Sequence, residues 1–222
     1  MKAEEILSHC DLTLLRPEAT EDDILALCEV GMRYGVASVC IPPAYVAAAK
    51  KCVGDRLKIC TVVGFPLGYA SLYVKVFEVQ DAILSGADEI DMVINIGEVK
   101  RGNYGYVKEE IEAVRRAAGE KTLKVIIEAC LLTEEEKVKL CHIISDARAD
   151  YIKTSTGFSR GGAKIEDIRL FGAHLSPEVK IKAAGGISSF REAFEFISAG
   201  ADRIGTSKIL TSADGAEYGF EP

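Results

Sequence analysis

Gly200-Ala-Asp-Arg-Ile204 closes a helical apolar pattern at a glycine and opens a β-branched run. Gly35-Val-Ala-Ser-Val39, Gly86-Ala-Asp-Glu-Ile90 and Arg148-Ala-Asp-Tyr-Ile152 repeat that handover, at a glycine or a small polar cluster. It is the signature of a helix C-terminus passing into a strand. The four starts are 51, 62 and 52 residues apart. A βα unit takes roughly 25 residues, so each interval holds two units and the four sites mark alternate strands. The strands between them read as Leu57-Lys-Ile-Cys-Thr-Val-Val-Gly64, Leu123-Lys-Val-Ile-Ile-Glu-Ala129 and Val179-Lys-Ile-Lys-Ala183, with Cys10-Asp-Leu-Thr-Leu-Leu15 as the first. Thr20-Glu-Asp-Asp23 and Thr133-Glu-Glu-Glu136 supply an N-cap and an acidic first turn for two of the helices. Eight alternating units predict an α/β fold, a single-domain (β/α)8 TIM barrel over 1–222, with 215–222 a loose tail. An open doubly wound sheet is the competing architecture. It calls for a glycine-rich turn after the first strand, and Leu14-Leu-Arg-Pro17 offers none.

Composition narrows the function. A formal net charge of −7 argues against nucleic acid as a partner, so any phosphate must be held locally. Seven scattered cysteines without a Cys-x-x-Cys pair fit free thiols and a cytoplasmic location. The three histidines, His9, His142 and His174, have no zinc spacing, which speaks against a metal centre. No apolar run approaches membrane-spanning length and no signal-peptide core opens the chain, so no membrane partner is expected.

Lysines stand inside two of the strands. Lys153 lies in Tyr151-Ile-Lys-Thr-Ser-Thr-Gly-Phe158 and Lys182 lies just before the diglycine of Val179-Lys-Ile-Lys-Ala-Ala-Gly-Gly186. An ammonium led toward a core is costly unless paired or neutral, and a neutral amine is a nucleophile. In Glu89-Ile-Asp-Met-Val-Ile-Asn-Ile96, strand alternation puts Asp91 on one face with Val93 and Asn95. Barrel chemistry gathers at the C-terminal strand ends, so Lys153, Lys182 and Asp91 converge on one mouth. Any one of them alone fits a solvated strand end or a structural ion pair; three on an inner face point to catalysis. Two ammonium groups about 4.5 Å apart at an effective dielectric of about 20 repel by roughly 3.7 kcal/mol, about 2.7 pK units, enough to free an amine near neutral pH. Lys180 starts its strand and reads as structural, Cys40 reads as packing, and Asp11 fits either a polar pocket residue or a turn.

Two glycine turns follow the seventh and eighth strands, Ala184-Gly-Gly-Ile-Ser-Ser189 and Ile204-Gly-Thr-Ser-Lys208. Backbone N–H groups of Gly185, Gly186, Gly205, Thr206 and Ser207 there would form an anion site, with Thr156 and Gly157 as a third wall.

Taken together, these segments resemble the deoxyribose-phosphate aldolase family, class I (β/α)8 aldolases. The likeness rests on Asp11-Leu-Thr-Leu-Leu-Arg-Pro-Glu-Ala-Thr20, Val39-Cys-Ile-Pro-Pro43, Val62-Val-Gly-Phe-Pro-Leu-Gly68, Glu89–Asn95, Tyr151–Phe158, Lys182-Ala-Ala-Gly-Gly-Ile187 and Arg203-Ile-Gly-Thr-Ser207. The resemblance implies Lys153 as the Schiff-base lysine, Lys182 as the second lysine that lowers its pKa, Asp91 as the proton relay and the glycine turns as the 5-phosphate site. It implies reversible cleavage of 2-deoxy-D-ribose 5-phosphate to acetaldehyde and D-glyceraldehyde 3-phosphate, with no metal or organic cofactor, in a homo-oligomer, a dimer or tetramer. Leu12, Ser188 and Lys208 stand where many members carry His, Arg and a small residue, and Tyr218 is a candidate for the tail tyrosine that assists protonation. The alternatives are another phosphosugar barrel enzyme, an isomerase or a different Schiff-base aldolase, and a silent phosphosugar-binding barrel. Retention of both lysines with Asp91 favours catalysis.

Overall fold

In the computed structural model, which describes residues 1–220, the eight expected strands close into one parallel barrel in chain order, with the eighth pairing the first. Helix α1 (Ala3–Leu7) precedes strand β1 (Cys10–Thr13). The units then run α2 (Glu21–Tyr34), β2 (Ser38–Ile41), α3 (Val46–Val53), β3 (Ile59–Val63), α4 (Leu72–Leu84) and β4 (Glu89–Val93). They continue with α5 (Ile96–Lys100), α6 (Tyr104–Ala118), β5 (Thr122–Ile126), α7 (Glu134–Asp146), β6 (Tyr151–Lys153), α8 (Ile165–His174), β7 (Lys180–Ala184), α9 (Phe190–Ser198) and β8 (Arg203–Thr206). Each parallel pair needs a helical crossover, and the apolar stripes of those helices cover the outer faces of the strands. The core is accordingly rich in fully buried β-branched residues such as Val39, Ile59, Ile90, Val125, Ile152 and Ile204.

The predicted helix starts are built as capping boxes. The Thr20 and Thr133 hydroxyls accept from the amides of Asp23 and Glu136, both at 3.3 Å, and the two carboxylates return bonds to the threonine amides. At the four repeated handovers the backbone turns left-handed. Gly35, Gly86 and Gly200 have φ of 63°, 104° and 112°, and Arg148 takes φ 55° without a glycine's freedom.

Two expectations give way. The fourth strand stops at Val93, short of Ile96, because Asn95 caps α5 by accepting from the Glu98 amide at 3.2 Å. Asn95 is therefore no strand neighbour of Asp91. The tail is packed through residue 220: Gly215–Tyr218 forms a 3-10 turn, and the Phe220 ring sits 5.2 Å from both Phe190 and Tyr34. Asp214 ties it to the start of α9 by accepting from the amides of Phe190 and Arg191. Residues 221 and 222 of the expected tail lie outside the described residues. Among the described residues, no helix is long and apolar enough to cross a membrane.

Candidate active site

Strand alternation aims Asp11 of β1, Glu89 and Asp91 of β4, Lys124 of β5, Lys153 of β6, Lys182 of β7 and Arg203 of β8 inward. The registers that align Asp91 with Lys124, Lys153 with Lys182 and Lys182 with Arg203 bring them into contact. Asp91 is the hub. Its Oδ2 accepts from Lys153 Nζ and Lys182 Nζ, each at 2.7 Å, and its Oδ1 accepts from Lys124 Nζ at 2.8 Å and Cys60 Sγ at 3.2 Å. Asp11 lies 2.5 Å from Lys182 Nζ through Oδ2 and accepts from Arg203 and Ser38 through Oδ1. Glu89 Oε2 holds Lys124 at 2.6 Å and Arg203 at 3.4 Å.

Burial alone would raise the carboxyl of Asp91, but the ammonium groups of Lys124, Lys153 and Lys182 outweigh it and hold it well below the usual carboxylate range. Asp11 is likewise held low, burial being overcome by Lys182, Lys124 and Arg203. Burial would depress Lys182, yet Asp11 and Asp91 raise it above an ordinary lysine. Lys124 is raised in the same way, with Asp91 the largest attraction. Both carboxylates and both deep lysines thus stay charged at neutral pH.

The inward-facing cluster holds four cations and three carboxylates, and the exposed Lys58 lies 3.9 Å from Glu89 at its edge. Among the described residues, Lys182 and Lys124 are each clasped by more than one carboxylate, whereas Lys153 has Asp91 alone and is the one of these three lysines that lines the open cavity. Loss of a proton from Lys153 leaves the cluster with balanced charge. The two lysines singled out in the sequence do meet, but through the Asp91 oxygen they share. The bare repulsion expected between them is therefore an upper bound, since the carboxylate between them opposes it.

A cavity of about 490 Å³ opens above Lys153. Thr156, Gly157, Gly185, Gly186, Gly205, Thr206 and Ser207 all line it. Among the described residues, the amides of Gly157, Gly186 and Ser207 on the glycine turns find no protein acceptor, which leaves them as open donors on the cavity wall. Gly205 must lack a side chain, because a Cβ there would sit 2.9 Å from the Ala184 Cβ and 3.4 Å from Lys182 Cε. The hydroxyls of the two threonines are engaged internally, that of Thr206 by the Ile187 carbonyl at 2.7 Å and that of Thr156 by Glu128. Tyr218 does not line the cavity; its ring stacks on Phe190.

Sequence reading singled out neither Lys124, Glu89, Arg203 nor Glu128. Lys124 carries the same signal as Lys153, a lysine inside an apolar strand, and Glu89 shares the parity of Asp91. Glu128 had no signal. It is buried at φ 51°, a left-handed backbone unusual for a non-glycine, and its carboxylate anchors the Thr156 turn; burial raises it, and Thr156 opposes the rise. Asp11, left open between two readings, is a buried site residue. Lys180 is exposed at the start of β7, and Cys40 is buried beside Cys60 and Val62. Cys40, Cys60 and Asp91 place donor atoms within 4.8 Å of one another, but a metal ion there would compete with three ammonium groups for Asp91.

A buried carboxylate shared by two strand lysines, one facing an open cavity, suits carbonyl chemistry through an amine. Comparison with known families agrees, since the model of the DeoC/LacD family aldolases matches residues 7–217. The chain belongs to this aldolase family. It is 52% identical over 217 residues to the deoxyribose-phosphate aldolase of Clostridium botulinum (strain Alaska E43 / Type E3), covering 98% of each chain. It is 50% identical over 216 residues to that of Clostridioides difficile (strain 630), covering 96% of this chain and 99% of the relative. Among solved structures, the tetrameric deoxyribose phosphate aldolase of Aeropyrum pernix superposes with a TM-score of 0.85 at 34% identity, over 92% of this chain and 87% of that one. The aldolase QR15 gives a TM-score of 0.88 at 38% identity, over 91% of each.

Proposed function

We propose that the protein is a class I aldolase that reversibly cleaves 2-deoxy-D-ribose 5-phosphate into acetaldehyde and D-glyceraldehyde 3-phosphate. The observation that carries this reading is the sharing of Asp91 Oδ2 by Lys153 and Lys182, with Lys153 alone of the three buried strand lysines lining the cavity. The names of relatives about half identical to this chain point to the same substrate. Neutral Lys153 attacks the open-chain aldehyde, and loss of water gives an iminium. That cation accepts the electron pair of the bond between the α and β carbons as the β hydroxyl gives up its proton and glyceraldehyde 3-phosphate departs. The remaining enamine takes a proton on carbon, and hydrolysis releases acetaldehyde and Lys153. Asp91 and the charged Lys182 are the groups placed to stabilise and relay those protons.

Acetaldehyde followed by borohydride should leave a reduced adduct on Lys153, read by mass spectrometry of the digested protein. Adducts confined to surface lysines would exclude the Schiff-base route.

The phosphate is assigned to the wall formed by Gly157, Gly185, Gly186, Gly205, Thr206 and Ser207, with Thr156 shaping the turn. Three free amides on that wall support the assignment. A Cβ at Gly186 would meet nothing within 4 Å, although its φ of 84° adds strain. Gly186→Asp should therefore raise KM for the phosphosugar by about tenfold or more, through repulsion of the dianion, while unphosphorylated 2-deoxyribose loses much less. Equal losses on both sugars would assign the turn to folding.

A homo-oligomer is the assembly we favour, supported by the tetrameric relative and by the exposed Tyr73, Phe77 and Leu84 on α4. The seven free cysteines support a reducing, cytoplasmic setting.

A further inference from the structure

Among the described residues, no aspartate or glutamate lines the cavity above Lys153, although the chain as a whole carries a formal charge of −7. Three cationic residues line it, Arg16, Lys153 and Lys208. Two are already committed. Arg16 pairs with Asp23 at 3.3 Å and Glu18 at 3.6 Å, and Lys153 pairs with Asp91 at 2.7 Å. Lys208 makes no ion pair among the described residues.

The backbone of Lys208 is fixed at the cavity rim. Its amide donates to Thr206 Oγ1 at 3.3 Å, and its carbonyl accepts from the Thr211 amide at 3.0 Å and the Thr211 hydroxyl at 2.9 Å. The residue itself is exposed. This fixed backbone carries an ammonium with no ion pair among the described residues, and it adjoins Ser207, whose amide is an open donor on the same wall. Backbone amides carry partial charge only, and a phosphate dianion approaching this chain meets a net negative surface. A full positive charge at the rim, unpaired among the described residues, corrects both deficits.

We propose that Lys208 is a specificity-determining residue, which selects phosphorylated over neutral sugars by pairing with the substrate phosphate held on the glycine turns. The proposal rests on the aldolase reading above and deepens it: backbone amides fix where the phosphate sits, and Lys208 sets how strongly its charge is preferred. A lysine that merely solvates the surface would not affect that preference.

The test compares the unmodified protein with Lys208→Ser, Lys208→Arg and Lys208→Glu, and reads the ratio of kcat/KM for 2-deoxyribose 5-phosphate to that for 2-deoxyribose. The ratio should fall about tenfold in the serine variant, further in the glutamate variant, and stay near the original with arginine, because one charge-assisted contact is lost, reversed or kept. Added sodium chloride should lower the ratio of the unmodified protein toward that of the serine variant and change the latter less. The same ratio in all four proteins would overturn the assignment. A measurement independent of turnover is calorimetric titration with inorganic phosphate, where Lys208→Ser should weaken binding by a similar factor. Equal affinity in the two proteins, or no binding to the unmodified protein at millimolar phosphate, would overturn it as well. Should the unmodified protein cleave neither sugar, the reaction reading fails, and the titration still judges Lys208.

Discussion

Lys182→Met is expected to lower aldol cleavage at pH 7 by about a thousandfold, the scale of losing both an electrostatic and a proton-transfer contribution. The unmodified cluster carries one positive charge in excess, which the departure of a proton from Lys153 relieves. Without Lys182, four cations become three and the charges balance while Lys153 is still protonated. Nucleophilic attack at neutral pH then loses its electrostatic drive. Raising the pH toward 10 should restore trapping of acetaldehyde on Lys153 by borohydride, because bulk hydroxide replaces the missing drive. Cleavage should not recover with it, since Lys182 also donates to the Asp91 oxygen that serves Lys153. The two readouts separate the roles: recovery of both would leave Lys182 a neighbouring cation only, and unaltered activity at pH 7 would place it outside the reaction. Circular dichroism of the variant guards against loss of fold, because Asp11 loses its nearest ammonium and keeps Lys124 only at 3.9 Å.

Asp91→Asn is expected to damage stability and catalysis together. The amide keeps one acceptor and turns an NH2 toward ammonium groups, so four cations would face two carboxylates. Breaking a buried pair in this way costs about 3–5 kcal/mol, and a domain of this size should lose roughly 6–20 °C in Tm. The pH dependence carries the same signature. The carboxyls of Asp91 and Asp11 are held below their unfolded values, so their contribution is present above about pH 4 and lost as pH falls through the folded values. Lys124 and Lys182 are raised, so theirs is complete below about pH 10 and lost as pH rises through the folded values. Urea midpoints of the unmodified protein should change little from this cluster between those limits and fall on the acid side. In Asp91→Asn the acid slope should be shallower, since one of its two depressed carboxyls is gone. A variant with the original Tm and the same acid slope would mean that Asp91 is solvated and the cluster is not a unit.

The eightfold alternation was legible because a parallel strand forces a helical crossover, and alternate crossovers end in a handover written Gly35-Val-Ala, Gly86-Ala-Asp, Arg148-Ala-Asp or Gly200-Ala-Asp. Lys153, Lys182 and Asp91 were legible because a charge inside an apolar strand contradicts the burial that its neighbours predict. Lys124 carried that contradiction too and shows that parity marks an inward face without ranking the residues on it. The strand end at Val93 was misread because Ile94 and Ile96 continue the apolar run, and only the capping bond of Asn95 ends it.

What the sequence determined by itself, then, is the local chemistry: element type, inward parity, capping and the placing of amines among apolar residues. All of these follow from periodicities of two and 3.6 along the chain. Only the closed barrel decided which charges meet. Arg203 reaches Asp11 across 192 positions and Lys182 reaches Asp91 across 91, and their pairing depends on barrel closure and strand stagger, which no local pattern encodes. Closure also set the surroundings of each lysine, leaving Lys153 with a single carboxylate among the described residues at the cavity floor and enclosing Lys124 and Lys182 beneath it, because burial and partner count are properties of the assembled interior.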